Sequence, residues 1–319
     1  MEDDDLEVTL RYDAMMELAK AAVRQNGLTL RDLPWHYIQH YDLYNLSFAA
    51  VRQNGMALKY VPKFLQDREM CLAAVQSIGL ALLDVPEKLR DREMYLAAVR
   101  QDGRTLMYVP EELRDREMCL TAVQQYGWAL KYVPDNLRDR EMCLTAIERN
   151  QDGWILQLVP NELRDREMCL EAIRWSGMAL KFIPMELRDR EIYLTAVQNS
   201  GYALEFVPEE LRDREICLLA VYNEGGALEH VPEELRDYEM CRTAMYMLDS
   251  GGGLQYVPEG LRDHDLCLAA VEQHGWELKY VPDELRNREM CFAAVRNDCQ
   301  ALEHVPEELR DEIVLATSR

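Results

Sequence analysis

Residues 89–112 read LRDREMYLAAVRQDGRTLMYVPEE, and this stretch recurs with variation along nearly the whole chain. All 12 prolines of the 319-residue sequence fall at one position of the repeat, and most of them are 24 residues apart. A fixed period of about 20 to 50 residues is typical of solenoids, in which each unit packs on its neighbours. The sequence therefore predicts one elongated repeat domain.

Each unit is predicted to contain a long helix and a shorter helical return. Asp91 is a suitable N-cap, because its carboxylate can accept a hydrogen bond from an amide of the first turn. The apolar run at residues 94–99 is typical of a helix buried between neighbours. Gly103 is expected to end this helix with a positive φ. Residues 106–109 form the second apolar segment, and Pro110 begins a turn.

The predicted fold is a right-handed α-solenoid of about twelve two-helix repeats, mostly 24 residues each. Residues 1–40 are interpreted as a degenerate first repeat and N-terminal cap, residues 41–309 as the tandem helical repeats, and residues 310–319 as a C-terminal capping segment. The alternative is a leucine-rich-repeat-like α/β solenoid, because the period and the recurrent cysteine also fit that class. The sequence has no alternating LxL pattern, and MCLAAV favours helix.

Two units are longer than the others, with insertions near Asn150 and Gly251. These insertions occupy corresponding places in a block of four repeats that recurs along the chain. They are therefore predicted to bulge on the same edge, four layers apart.

The net charge of −22 is distributed over the repeats rather than concentrated in one segment. Such a surface repels nucleic acid and anionic membranes, so no nucleic-acid partner is expected. The N-terminal MEDDDLEVTL lacks the basic start of a secretion signal, and no apolar run reaches the ~18 residues that span a bilayer. The expectation is a soluble, cytoplasmic protein with no membrane partner.

Eight of the nine cysteines occupy one repeat position. They are Cys71, Cys119, Cys143, Cys169, Cys217, Cys241, Cys267 and Cys291. Equivalent atoms on stacked helices lie roughly 8–10 Å apart, which exceeds the ~7 Å limit for a disulfide. Paired CxxC spacing, typical of zinc sites, is absent. These cysteines are predicted to be small buried apolar residues, whereas Cys299 replaces a glycine and is predicted to be accessible.

The recurring pattern LRDREMCLAAVxxxGxALxYVPEE resembles the repeats of the domain of unknown function 4116 family. The resemblance covers nearly the whole chain. It implies a helical repeat protein and supplies no catalytic or ligand-binding residues.

Comparison of the units separates invariant positions from variable ones. The recurrent Arg, Asp, Arg and Glu before most of the long helices are predicted to form caps and ladders of charge between layers. The variable positions follow the apolar run and the glycine, and several carry aromatic side chains, which together with arginine dominate interface hot spots. The candidate partner-binding residues are Tyr126, Trp128, Trp154, Trp175, Met178, Tyr202, Tyr222 and Trp276. They are predicted to form one ridge, unless the rings fold over neighbouring repeats and fill gaps.

The sequence contains no nucleophile paired with a base, no P-loop and no dinucleotide-binding fingerprint. No catalytic residue, cofactor or enzymatic activity is therefore expected. His36 and His40 have the i, i+4 spacing of metal ligands, but no third ligand is evident, so no metal is expected. His230 and His304 are predicted to be half-buried packing residues.

The functional prediction is a non-enzymatic repeat scaffold that binds a protein or peptide, favouring a basic partner, through the variable aromatic positions. The alternative is a structural or self-assembling spacer subunit of a larger complex. Loss of binding when the aromatic residues are replaced by alanine would support the first function. Growth in mass with protein concentration would support the second.

Overall fold

A computed structural model describes residues 2–33, 38–247 and 253–317. Its contacts divide the chain into two compact units, Met1–Asn150 and Gln151–Arg319. The described residues form helices and connecting turns, and these ranges contain no strand. The predicted all-α solenoid of tandem repeats is confirmed, and the leucine-rich-repeat alternative is not supported. Handedness and the three-part division of the chain stay predictions.

The described residues of the first unit form six α-helices. They are α1 (Glu2–Gln25), α2 (His40–Gln53), α3 (Arg68–Ser77), α4 (Arg92–Gln101), α5 (Arg116–Gln125) and α6 (Arg140–Asn150). Consecutive helices pack side by side, and each also contacts at least one neighbouring 3-10 helix.

The second unit contains seven α-helices in its described part. They are α7 (Arg166–Trp175), α8 (Arg190–Asn199), α9 (Arg214–Asn223), α10 (Tyr238–Tyr246), α11 (His264–Gln273), α12 (Arg288–Asn297) and α13 (Glu307–Thr317). The stacking of neighbours is the same as in the first unit.

The predicted helical return is a 3-10 helix of six residues in most repeats. After α4, Asp102 is extended, the 3-10 helix Gly103–Tyr108 follows, and a one-turn 3-10 helix Glu111–Leu113 leads to the next α-helix. The corresponding six-residue helices are Gly27–Asp32, Gly55–Tyr60, Gly79–Asp84, Gly127–Tyr132, Gly153–Leu158, Gly177–Phe182, Gly201–Phe206, Gly225–His230, Gly275–Tyr280 and Cys299–His304. In one repeat the described 3-10 helix is Leu254–Tyr256. The other one-turn helices are Glu87–Leu89, Asp135–Leu137, Asn161–Leu163, Met185–Leu187, Glu209–Leu211, Glu233–Leu235, Glu259–Leu261 and Asp283–Leu285.

The core of each repeat lies between its α-helix and its 3-10 helix. In the α4 repeat, Met94, Ala98, Val99 and Leu106 are fully buried. The eight equivalent cysteines are also buried and free, as predicted, and burial raises the pKa of Cys119 to about 11. They are packing residues. Cys299 is exposed, as predicted.

The prediction that glycine ends the long helix with a positive φ is wrong. Gly103 is the first residue of a 3-10 helix and does not have a positive φ. A Cβ there would lie 2.3 Å from the carbonyl oxygen of Ala122 in the next layer. At nine equivalent described glycines this distance is 2.1–2.7 Å, far below a van der Waals contact. Glycine is therefore required by the close approach of adjacent layers.

The predicted caps and charge ladder are confirmed. The Asp115 carboxylate accepts a hydrogen bond of 2.9 Å from the amide of Met118 and one of 2.7 Å from Arg92 of the preceding helix. The Arg92 guanidinium also donates to Glu117, at 2.9 Å. One arginine thus joins the first turns of two consecutive α-helices.

The other recurrent arginine joins layers through backbone carbonyls. Arg114 donates through Nε to the carbonyl of Val109 at 2.9 Å and through a terminal nitrogen to the carbonyl of Tyr132 at 2.6 Å. The equivalent aromatic position is occupied by His230 and His304, whose carbonyls accept from Arg212 and Arg286. Both histidines are half-buried, as predicted.

The first insertion lengthens α6 by one residue and places Gln151 at a φ of 51°. The second insertion, around Gly251, lies outside the described residues, so the prediction of a shared edge remains open. Among the described helices, none combines the length and apolar character that crossing a bilayer requires.

Candidate functional site

The predicted ridge residues occupy two different places in the repeats. The residue after the repeat glycine lies within the 3-10 helix and is half-buried. This set contains Trp128 in the first unit, and Trp154, Met178, Tyr202 and Trp276 in the second. The remaining three, Tyr126, Trp175 and Tyr222, lie at the ends of α-helices or just after them.

The half-buried aromatic residues make contacts within and between repeats. The Trp154 ring packs edge-on against Phe182 of the next repeat, with centroids 5.5 Å apart, and Lys181 Nζ lies 4.0 Å from the Trp154 centroid. Trp276 packs edge-on against Tyr280 at 6.3 Å. A Cβ on Gly226 would lie 2.3 Å from the Tyr202 hydroxyl oxygen. These contacts favour the gap-filling interpretation for this set.

The residues at the helix ends are more exposed. Tyr126 is 36% exposed and Trp175 is 40% exposed, with the Trp175 indole nitrogen donating to Glu171 at 3.0 Å. Tyr222 is 63% exposed, the highest value among the eight predicted residues. The most accessible aromatic surface among them therefore lies on α9.

Tyr222 borders a shallow groove between α9 and α10, here called the α9–α10 groove. The groove has a volume of about 480 Å³ and its accessible lining is mainly apolar. It is lined by Glu215, Leu218, Leu219, Tyr222, Glu239 and Thr243. An open apolar groove of this kind suits a side chain from another molecule better than an enclosed small-molecule site.

Two substitutions in the repeat pattern create this groove. Leu219 stands where α5 has Thr121, whose hydroxyl donates to the carbonyl of Glu117 at 2.7 Å. Tyr222 stands where α5 has Gln124. The other positions of the two helices are closely similar, so the apolar surface is a local departure of α9 from the repeat.

Sequence reasoning missed the neighbouring aromatic residue on α10. Tyr246 occupies the same repeat position as Tyr222 and is 60% exposed. The next residue, Met247, is 38% exposed. Leu219 was also missed, because the prediction covered only the positions after the apolar run and after the glycine, and Leu219 lies within the run. Comparison of helix surface positions from repeat to repeat would have found both.

The carboxylates at the rim of the groove are fixed by the charge ladder. Glu215 accepts a hydrogen bond from Arg190, and Glu239 accepts one from Arg214. In the same ladder, the hydrogen bond from the amide of Ile192 lowers the pKa of Asp189. Burial raises this pKa, and Arg166 lowers it further. Such fixed carboxylates present a defined negative rim to a partner.

Several positions that vary in sequence have structural roles. The Asn199 side chain accepts from the amide of Gly177 at 3.1 Å and donates to the carbonyl of Arg174 at 2.7 Å. Gln53 and Asn297 make similar contacts with the preceding repeat. Short polar residues at the end of the long helix therefore connect layers.

Glu277 is a buried carboxylic acid that sequence reasoning also missed. It is 0% exposed and occupies the position of Ala129 in the matching segment GWALKY. Its Oε2 accepts from the amide of Leu254 at 3.2 Å, whereas Oε1 has no hydrogen-bond partner among the described residues. Burial raises its pKa to about 7. Leu254 is the first residue of the 3-10 helix Leu254–Tyr256, so Glu277 supplies an acceptor for the first amide of that helix.

No group of three or more His, Cys, Asp or Glu side chains in the described part of the chain is arranged to hold a metal ion. His36, one of the two histidines considered for a metal, lies outside the described residues. His40 packs against Phe64, with ring centroids 5.7 Å apart.

Stacked pairs of an α-helix and a 3-10 helix, joined by arginine ladders and glycine contacts, define a tandem α-helical repeat protein. The chain belongs to the family described as Domain of unknown function (DUF4116), whose sequence model matches residues 45–90, 91–138, 139–188, 189–236 and 247–286. The resemblance predicted from the repeat pattern is confirmed. A search of curated proteins gave no significant match.

Proposed function

We propose that this chain is a non-enzymatic repeat scaffold that binds a protein or peptide partner, and that the α9–α10 groove is the main docking site. The observation that carries the proposal is the apolar surface formed by the half-buried Leu219 and the exposed Tyr222 on an otherwise polar helix face. Tyrosine side chains bury a large area at low entropic cost, which makes them frequent interface anchors.

A basic partner fits the electrostatics of the chain. The net charge is −22, and Glu215 and Glu239 lie at the rim of the groove. Opposite charge on the partner would increase the association rate and make binding sensitive to salt. The apolar floor would then supply the contacts that slow dissociation.

The test compares the wild type with a variant that restores the common residues of the repeat, Leu219→Thr with Tyr222→Gln. Peptides selected on the wild type from a random displayed library are the probe, and their affinities for both proteins are measured by calorimetry. We expect the variant to keep its helicity and to bind about tenfold more weakly or worse. Equal affinity for the two proteins would remove the groove from consideration.

A graft provides the matched control. Helix α5 has the same surroundings, with Glu117, Leu120 and Glu141 in equivalent positions. Thr121→Leu with Gln124→Tyr should therefore create a second site and raise the peptide stoichiometry. An unchanged stoichiometry would show that the two side chains alone do not form the site.

A structural or self-assembling role is the second candidate function, and one observation favours it. Leu315 on α13 is 71% exposed. If this helix mediates self-association, the mass measured by light scattering should rise with concentration in the wild type and stay constant in Leu315→Glu. A constant mass in both would argue against this role.

A further inference from the structure

The arginine ladder is interrupted next to the α9–α10 groove. In an intact layer, Arg116 donates to Asp139 at 2.8 Å and to Glu141 at 2.7 Å, which are the N-cap and the second helical residue of α6. The same arrangement occurs at Arg68, Arg92, Arg166, Arg190 and Arg214. Two carboxylates at these positions therefore bind a guanidinium group repeatedly in this chain.

Helix α10 begins with Tyr238 in place of that arginine, but α11 retains both carboxylates. Asp263 caps α11 by accepting from the amide of Leu266 at 2.9 Å. The Asp265 side chain is 88% exposed, its neighbour His264 lies 3.6 Å away, and no arginine forms an ion pair with it among the described residues. Asp265 thus lacks the arginine that its counterparts bind.

A cleft lies between α10 and α11 at this interruption, here called the α10–α11 cleft. It has a volume of about 240 Å³ and is lined by Tyr238, Arg242, Met245, Tyr246, Asp265 and Leu266. Tyr238 is 41% exposed and Tyr246 60%. The cleft therefore offers two accessible aromatic side chains and a carboxylate, which is the combination that favours a planar guanidinium.

We propose that the α10–α11 cleft binds an arginine side chain of the docked partner, with the guanidinium on Asp265 and against the Tyr238 ring. The partner's arginine takes the role that an internal arginine has in the intact layers. This inference rests on the proposed function in one respect, since it assigns the arginine to the partner of the adjacent groove. Arginine is favoured over lysine because its planar fork can pair with a carboxylate and stack on an aromatic ring together.

Arg242 is the feature of the cleft that opposes this binding. It replaces the leucine found at the equivalent position of α9, Leu218, and its guanidinium carbon lies 5.7 Å from the Tyr246 ring centroid. It forms no ion pair with Asp265 in the described part of the chain. Arg242 therefore lowers the affinity of the cleft for a cation by electrostatic repulsion, and replacing it with leucine should raise that affinity.

The test uses N-acetyl-arginine amide as the probe, with the full chain labelled for NMR. N-acetyl-lysine amide and N-acetyl-citrulline amide are the controls for charge and for shape. We expect shifts at Tyr238, Tyr246 and Asp265, with arginine binding roughly two- to fivefold more tightly than lysine and citrulline giving no saturable shifts. Equal affinity for arginine and lysine, or shifts confined to other surfaces, would overturn the proposal.

Three variants locate the site without relying on an unstable protein. Tyr238→Arg restores the internal ladder, so it should keep the fold and abolish the response to the probe. Tyr238→Phe keeps the ring and should retain the response, and Arg242→Leu should increase the affinity severalfold. Persistent binding in Tyr238→Arg would contradict the proposal.

These measurements are independent of the groove experiment. If peptides bind the α9–α10 groove and the arginine probe does not bind, the arginine inference fails alone. If the probe binds and the Leu219→Thr, Tyr222→Gln variant retains full peptide affinity, the proposed docking groove fails alone.

Discussion

Gly201 and Ala220 approach each other so closely that a Cβ on Gly201 would lie 2.3 Å from the Ala220 carbonyl oxygen. The two residues belong to consecutive layers, in the 3-10 helix Gly201–Phe206 and in α9. Because backbone lies on the far side of the contact, a side chain at Gly201 could be accommodated only by moving a layer.

Gly201→Ala should therefore destabilise the protein. We expect a loss of about 1–3 kcal/mol in the free energy of unfolding, as for other overpacked sites. Gly260→Ala is the control, since nothing lies within 4 Å of a Cβ there. Urea denaturation of both variants measures the difference, and equal losses would show that the layer contact is not responsible.

Asp189 separates the contribution of the helix cap from that of the charge ladder. Its carboxylate accepts from the amide of Ile192 at 2.9 Å and from Arg166 at 3.1 Å. Asp189→Ala should cost about 0.5–2 kcal/mol, mainly through the cap. Asp189→Asn keeps an acceptor for the amide and should cost at most about 1 kcal/mol, because the pair with Arg166 is exposed. Thermal denaturation of the two variants provides the comparison. A larger loss of stability for Asp189→Asn than for Asp189→Ala would show that the cap is not the main contribution.

Glu277 should make stability depend on pH near neutrality. Burial raises its pKa from 4.5 to about 7, whereas the hydrogen bond from the amide of Leu254 and the charges of Lys279 and Arg262 oppose that rise. The folded state therefore binds more protons than the unfolded state between these values, so stability decreases as the pH rises through this range. From about pH 5 to about pH 8 the loss attributable to this group should be roughly 2–3 kcal/mol.

Glu277→Gln removes the titration and keeps an oxygen acceptor for Leu254. The free energies of unfolding of the two proteins should diverge as the pH rises, in favour of the variant. A constant difference between them from about pH 5 to about pH 8 would show that Glu277 does not titrate in this range.

Cys299 should be the thiol that reacts in the folded protein. The other eight cysteines are buried, and burial raises the pKa of Cys143, for example, to about 11. We expect one equivalent of rapid reaction with a disulfide reagent in native protein and none in Cys299→Ser. The remaining thiols should react after unfolding. Rapid modification of several thiols in the native state would show that the eight equivalent cysteines are not buried.

The sequence by itself determined the repeat period, the position of each long helix, its Asp cap and the burial of the cysteine row. These features depend on residues close together in the chain and on an apolar pattern that recurs in each repeat. Only the tertiary structure decided why Gly103 must be glycine, why Trp154 is half-buried and Tyr222 exposed, and why Glu277 is enclosed. Each of these depends on distances between adjacent layers, across residues about one repeat apart, which composition and spacing within a single repeat do not specify.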